Sequence, residues 1–355
     1  MKLKTVPDYV PLDPASKGGP KHGHYAELDP HFAAAKAGAD AVMASLWAAD
    51  DWHTFRNNWK AEAPLPDGTP RPGTDVVESY RRIPTRDGGA EIEIKIMKSV
   101  ANKAADNVCV LRYHGGGWAI GGHGTEAVEN LHAASHPNVV LVSVDYRLAP
   151  EHPYPTPFHD CFDALLWVKA NAAALGIDPE KIVLLGGSAG SNLALAVALK
   201  ARADNVTGIR AMLLDWPTAC HPRLFQQLRD RDGYELESYV QCFDATVTTV
   251  PIMEFFLDAY LPTTAKLEPD PYHSPLLADS FEGLPPAFLQ VAGFDPLRDE
   301  ALAVAEKLQK DSVPVELHVY KGLPHAFSTL LASLPQAKEY QQRQNVYLDN
   351  VVKSS

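Results

Sequence analysis

Near the middle of the chain, Gly186-Gly187-Ser188-Ala189-Gly190 sets a serine hydroxyl between small neighbours. The apolar run Ile182-Val183-Leu184-Leu185 precedes it and an Ala/Leu-rich stretch follows, so the serine is expected in a tight turn from a strand into a helix. Small residues there let two backbones approach closely, and the amides that open the helix face any negative oxygen formed beside the hydroxyl. A serine hydroxyl is a weak nucleophile near neutral pH. It needs a base, commonly histidine, and a carboxylate to hold that base in one tautomer. Beyond Pro285 the candidates are His318 and His325. His318 alternates within the run Val315 to Tyr320 and reads as a strand residue, whereas His325, in Gly322-Leu323-Pro324-His325-Ala326-Phe327, follows that run in a loop. Asp295 is the first carboxylate after the run Ala287 to Val291. Asp299 is the alternative acid, although its place at the opening of a helix also suits a charge at a helix N-terminus.

A second motif, His114-Gly115-Gly116-Gly117-Trp118, follows the run Val108 to Tyr113. Consecutive glycines cost backbone entropy on folding, so such a loop belongs where main-chain N–H groups must face a ligand unobstructed. His114 reads as a residue that orients this loop rather than as a base. Other features carry less. Gly121-Gly122-His123-Gly124 opens no dinucleotide or phosphate loop, and His22, His24 and His31 lack the carboxylate or cysteine grouping of a metal site. Asp145, Arg147 and Glu151 are expected to form a structural ion-pair network.

The surrounding pattern supplies what must position these groups. The short apolar runs at 108–113, 139–144, 182–185, 211–214, 287–291 and 315–320 suit buried strands, and helix-like stretches at 161–174, 191–203 and 299–310 lie between them. Strand alternating with helix predicts an α/β fold, a mostly parallel central sheet with helices on both faces. Glu91 to Met97 alternates strictly, as an antiparallel strand near an edge would. Residues 1–60 and 216–275 break this pattern and are rich in aromatic side chains. They are expected to form a second helical layer.

The chain has 355 residues, of which 46% are hydrophobic and 21% charged, enough for a sizeable core. Its 32 basic and 44 acidic residues give a formal charge of −12, which would repel a phosphate backbone, so nucleic acid is not an expected partner. Cys109, Cys161, Cys220 and Cys242 lie far apart with no C-x-x-C pair and read as buried reduced thiols. With neither a signal-peptide core nor a membrane-spanning run, a soluble cytoplasmic chain is expected.

HGGGW (114–118), DYRLAPEHPYP (145–155), the serine elbow, DPLRDEA (295–301) and PHAF (324–327) together resemble the hormone-sensitive-lipase-like carboxylesterases of the α/β-hydrolase fold. The resemblance covers roughly residues 76–330. It implies a triad of Ser188, Asp295 and His325, an oxyanion hole of Gly116, Gly117 and Ala189, and a helical cap from 1–60 and 216–275 over a catalytic domain of 61–215 and 276–355. Trp118 and Gly187 would line the substrate pocket. Two residues depart from the pattern: many members carry Asp where Gly187 stands, and a further Gly where Ser191 stands, which alters the bonding and space beside the elbow. The implied activity is hydrolysis of short- to medium-chain acyl or aryl esters through an acyl-enzyme, with no metal or organic cofactor and a small-molecule ester as partner. A homodimer is the assembly to test. A lactonase, carbamate hydrolase or amide hydrolase would use the same residues, and a non-catalytic receptor on this scaffold would lack a complete triad.

Overall fold

Apolar or alternating runs become strands in the computed structural model, which describes residues 21–59, 65–262 and 267–354. The strands are β1 (Val76–Pro84), β2 (Glu91–Ser99), β3 (Asn107–Tyr113), β4 (Val139–Asp145), β5 (Ile177–Gly187), β6 (Ile209–Asp215), β7 (Ala287–Phe294) and β8 (Val315–Pro324). They form one sheet in the order β1-β2-β4-β3-β5-β6-β7-β8. Pairing is antiparallel between β1 and β2 and between β2 and β4, and parallel everywhere else. All of β3 and all of β7 are buried, as central parallel strands covered on both faces must be. The outermost strand, β1, has only Val76 and Ile83 buried, so it carries no apolar run that would announce it in sequence.

The helices are α1 (Pro30–Trp47), α2 (Trp52–Asn58), α3 (Ala127–Ser135), α4 (Thr156–Ala170), α5 (Ala172–Leu175), α6 (Ala189–Ala203), α7 (Phe225–Asp232), α8 (Ser238–Gln241), α9 (Val250–Tyr260), α10 (Arg298–Lys310), α11 (Phe327–Leu330) and α12 (Pro335–Ser354). Successive strand side chains point to opposite faces. Cys109, Leu111 and Tyr113 therefore belong to the core cluster that includes α4 and α6 on one side, while Val108 and Val110 belong to the one that includes α3 and α12 on the other. Helix α6 is buried on every side from Ala189 to Leu199, because the sheet, α4 and the segment at Pro275–Leu277 enclose it. Helix α12 buries Ala337, Tyr340, Gln344 and Leu348, spaced three and four apart along one face.

The insertion after β6 supplies α7, α8 and α9. Thr249 caps α9 by accepting from the Ile252 amide at 3.3 Å. An aromatic cluster joins α9 to α1 and α2: Trp52 stacks on Phe255 with ring centroids 4.9 Å apart, and Trp47 lies 5.1 Å from Phe55 and 5.6 Å from Phe256. The chain before α1 and the first turn of α1 pack elsewhere. The Asp29 amide donates to the Gly322 carbonyl at 3.3 Å, and Phe32 is buried with Phe294, Leu323 and Phe327 behind the ends of β7 and β8. Residues 1–20, 60 and 263–266 of the two aromatic-rich regions lie outside the described residues.

Arg147 and Glu151 do not pair with each other. Arg147 forks onto Asp160 at 2.7 and 2.9 Å and reaches Asp87 at 2.7 Å, while Glu151 is held by Arg56 at 2.6 and 2.9 Å. Pro150 lies between Arg147 and Glu151 and cannot belong to a regular helix, although the His152 amide donates to the Leu148 carbonyl at 2.9 Å. The four cysteines are free and buried, and burial pushes the Cys109 thiol up to about 12. No helix among the described residues is long and apolar enough to cross a membrane.

Glu300, on α10, ties the insertion to the sheet. Its buried carboxylate accepts from the Ala219 and Cys220 amides at 2.5 and 2.7 Å and from the Tyr239 hydroxyl at 2.7 Å. Glu300→Ala would leave these buried donors without an acceptor, at about 1–3 kcal/mol each. Urea unfolding should therefore show a loss of at least about 3 kcal/mol. A loss below about 1 kcal/mol would mean that the donors find other acceptors.

Candidate active site

The candidate nucleophile sits where the sequence puts it, between the end of β5 and the first turn of α6. Ser188 has φ 55° and ψ −120°, a backbone conformation that side chains with a Cβ rarely adopt. Bonds on both sides hold it there. Its amide donates to the Asp215 carbonyl at 2.7 Å, and its carbonyl accepts from the amides of Ser191 and Asn192 at 3.0 and 3.2 Å. Close approach explains Gly190, since a Cβ there would lie 2.0 Å from the Tyr113 carbonyl oxygen. The Ser191 hydroxyl lies 2.5 and 2.8 Å from the Gly186 and Asp215 carbonyl oxygens and shares its one proton between them, so this residue ties β5 to β6 beneath the turn.

The glycine loop leaves β3 directly beside this turn, and a Cβ at Gly115 would lie 2.9 Å from the Gly187 carbonyl oxygen. Gly117 has φ 57°, and the ring of Phe256 from α9 fills the space where its side chain would be. Among the described residues, the amides of Gly116, Gly117 and Ala189 donate to no backbone acceptor outside the helices and strands. His114 is spent on the loop itself. Its Nδ1 is 2.7 Å from the Gly115 carbonyl oxygen, and its ring stacks on Tyr146 at 4.2 Å. Burial pulls its pKa down to about 4, so it is neutral at pH 7. Trp118 is buried and stacks on Tyr260 of α9, with ring centroids 4.4 Å apart. The space in front of Gly187 is taken by the Glu126 carboxylate.

Asp295 immediately follows β7 and His325 immediately follows β8, so both lie at the same edge of the parallel sheet as Ser188. His325 Nδ1 is 2.7 Å from Asp295 Oδ2, and both side chains are buried. The other Asp295 oxygen accepts from the Leu297 amide at 3.0 Å. This arrangement puts the proton on Nδ1 and leaves Nε2 as the basic nitrogen. Neither rival residue joins them. His318 lies between Glu316 and Arg343 at the sheet's outer edge, at 2.8 and 2.7 Å. Asp299 binds the Arg298 guanidinium and the Ser238 amide, each at 2.8 Å.

Several residues around the site were not singled out by the sequence. Arg298 donates to Gln241 of α8 at 2.5 Å and to the Gly293 carbonyl at 3.3 Å, tying the insertion to the strand that ends at the candidate acid. Asp215, whose carbonyl holds Ser188, has its carboxylate oxygens 3.2 Å from the donors of Gln290 and Gln344. Burial, outweighing the attraction of Arg112, raises the Asp215 pKa to about 7. Among the described residues no group of three or more His, Cys, Asp or Glu is placed to hold a metal ion.

The family model for the alpha/beta hydrolase fold matches residues 110–329, from within β3 to just past the candidate base. The chain belongs to the α/β-hydrolase family. Within it the chain falls among the hormone-sensitive-lipase-like esterases. The carboxylesterase NlhH of Mycobacterium tuberculosis is 36% identical over 65% of this α/β-hydrolase and 69% of its own length. An arylesterase of Saccharolobus solfataricus is 34% identical over 67% and 73%. The solved structure of a hyperthermophilic esterase from Pyrobaculum calidifontis superposes with a TM-score of 0.75 at 27% identity, covering 91% of this chain and 98% of that one.

Two measurements probe the elbow. Ser188→Gly removes the Cβ that the backbone disfavours, whereas Ser188→Ala keeps it. Strain of about 1–3 kcal/mol, less about 0.5–1 kcal/mol for glycine's entropy, should make the glycine variant more stable than the alanine variant by about 1 kcal/mol in urea. Equal stabilities would mean an unstrained turn. The second test concerns pH. The folded chain keeps a proton on Asp215 up to about 7, while the unfolded chain releases it near 3.8. Stability therefore falls as pH rises through that window. Tm should be lower near pH 8 than near pH 5, and Asp215→Asn should lessen the drop; an undiminished drop would remove Asp215 as a cause.

Proposed function

We propose that this α/β-hydrolase is a serine carboxylesterase that cleaves short- to medium-chain acyl or aryl esters through an acyl-enzyme. The observation that carries the reading is the buried 2.7 Å contact of His325 Nδ1 with Asp295, at the strand edge that also bears Ser188 in its turn. His325 Nε2 takes the proton of Ser188 as its oxygen attacks the ester carbonyl, and Asp295 stabilises the imidazolium that forms. The amides of Gly116, Gly117 and Ala189 meet the oxyanion, where each donor is worth about 2.7–4 kcal/mol to the transition state. His325 returns the proton to the departing alcohol, and water then repeats the sequence on the acyl-enzyme.

Residues 1–60 and 216–275 act in this reading as the cap that sets substrate size, over a catalytic domain of 61–215 and 276–355. Phe256 against Gly117 and Tyr260 against Trp118 support that role, because they bring α9 onto the glycine loop. A ring at that point limits the room for an acyl chain. The names of the relatives, a carboxylesterase and an arylesterase, fit the same substrate class.

Ser188→Ala should lower turnover by about 10⁶-fold in a folded protein. Asp295→Asn should lower it by about 10⁴-fold, and Asp299→Asn by much less. An organophosphonate should add to Ser188 of the intact chain, as read by peptide mass. An adduct on another serine, or a larger loss from Asp299→Asn than from Asp295→Asn, would overturn the assignment. For the cap, Phe256→Ala should raise the ratio of decanoate to butyrate ester hydrolysis; an unchanged ratio would remove Phe256 from substrate selection.

A further inference from the structure

The residue before the candidate nucleophile is Gly187, where many members of the family carry aspartate. The space a side chain there would fill is already taken. A Cβ built on Gly187 would lie 2.2 Å from Glu126 Oε1, 3.2 Å from Glu126 Cδ and 3.4 Å from Arg112 Nη2. Glu126 comes from a different part of the chain. It immediately precedes α3, in a left-handed conformation with φ 56° and ψ 39°, and is 7% exposed. Arg112, fully buried on β3, brings Nη2 to 2.5 Å from Glu126 Oε2.

The same carboxylate also touches the glycine loop. The Gly115 amide lies 3.4 Å from Glu126 Oε2, and a Cβ on Gly115 would lie 3.0 Å from Oε1. One carboxyl group thus stands against the residue before Ser188 and against the first glycine of the loop that carries the candidate oxyanion donors. A single cation holds it. Burial alone would lower the Arg112 pKa, but Glu126 and Asp215 together keep it above its ordinary value, so the guanidinium stays charged. Its Nε and Nη1 have no hydrogen-bond partner among the described residues, which makes the charge of Glu126 its main direct compensation. A buried cation stripped of its partner is strongly unfavourable, so the carboxylate cannot swing away cheaply.

We propose that Glu126 is a positioning residue for catalysis: its carboxylate, clamped by Arg112, occupies the site vacated at position 187 and fixes the spacing between the serine turn and the glycine loop. The proposal rests on the reading of Ser188 as nucleophile and of the Gly116 and Gly117 amides as oxyanion donors. The nucleophile, with the Ala189 amide beside it, and the two glycine-loop donors of the oxyanion hole lie on separate segments that follow β5 and β3, and their separation sets how far attack and charge stabilisation coincide. The carboxylate then acts as a spacer supplied from elsewhere in the chain. An aspartate introduced by Gly187→Asp would extend from a Cβ 3.4 Å from Arg112 Nη2, so it could take over the clamp, but only if Glu126 has first been shortened.

The test uses the full chain with p-nitrophenyl butyrate and a phosphonate probe, in wild type, Glu126→Gln, Glu126→Ala, Gly187→Asp and the double variant Glu126→Ala/Gly187→Asp. The two Glu126 variants should lose about 10- to 100-fold in kcat while KM moves by less than about threefold, because the fault lies in alignment rather than substrate binding. Phosphonylation of Ser188 should slow in step. Gly187→Asp alone should fare worse than either, since two carboxylates would compete for one space. The double variant should recover kcat to within about threefold of wild type, which a merely structural ion pair would not require. If Glu126→Ala does not fold, Glu126→Gln and the double variant decide. Unchanged kcat in folded Glu126→Gln overturns the proposal, as does a double variant that fails to fold or stays as slow as Glu126→Ala. Wild-type labelling at a serine other than Ser188 overturns the nucleophile reading itself, whereas labelling at Ser188 with an undiminished rate in Glu126→Gln overturns only the role of Glu126.

Discussion

Helix α6 begins in contact with the end of β3, so close that Gly190 has no room for a Cβ beside the Tyr113 carbonyl oxygen. From that contact the geometry of the whole upper edge of the sheet follows. To enter the helix at that depth the chain must turn sharply after β5, and Ser188 takes the positive-φ conformation that makes the turn. The Asp215 carbonyl on the adjacent strand pins the Ser188 amide, and the start of the glycine loop is pressed against the same turn from the other side. A looser packing of α6 on β3 would release the serine and the glycine loop together.

Buried charge is the second constraint, and it is handled with few cations. Asp215, Glu126 and Glu300 are all deeply buried, and burial raises the pKa of each. Glu300 is compensated by amides and a hydroxyl, Glu126 by Arg112, and Asp215 by two glutamine side chains together with the more distant Arg112. Each therefore depends on donors from other segments of the chain. Such groups specify a register between segments more sharply than apolar contacts do.

How much of this the sequence disclosed depended on whether the signal was local. Ser188, Asp295 and His325 each stand just past an apolar run, so a strand followed by a loop was enough to single them out, and the parallel sheet then put all three on one edge. Strand β1 gave no such signal, because an outer antiparallel strand is wet on most of its length. Helix α12 was equally silent, since Gln344 on its inner face serves Asp215 rather than the apolar core. Glu126 was illegible for a different reason: a lone acid in a polar loop looks solvated, and only its folded position, against Arg112 of β3 and Gly187 of β5, reveals that it fills the space of a missing side chain. Asp299 reads as a charge opening a helix, yet its partner and those of Arg298 and Glu300 lie in α8 and in the stretch after β6, far away in sequence.

The segment Asp295 to Glu300 thus does two jobs within six residues. Its first residue holds the imidazole, and its last three fasten the inserted helices through Gln241, Ser238, Tyr239 and the Ala219 and Cys220 amides. The insertion is therefore anchored near its beginning and in its middle, around α8, while α9 meets α1, α2 and the glycine loop through aromatic packing. Aromatic contacts tolerate change in a way that buried carboxylates do not. In the proposed reading, substrate range can accordingly be altered along α9 and its facing helices by exchanging one ring for another, while the fastened portion keeps Asp295 in register.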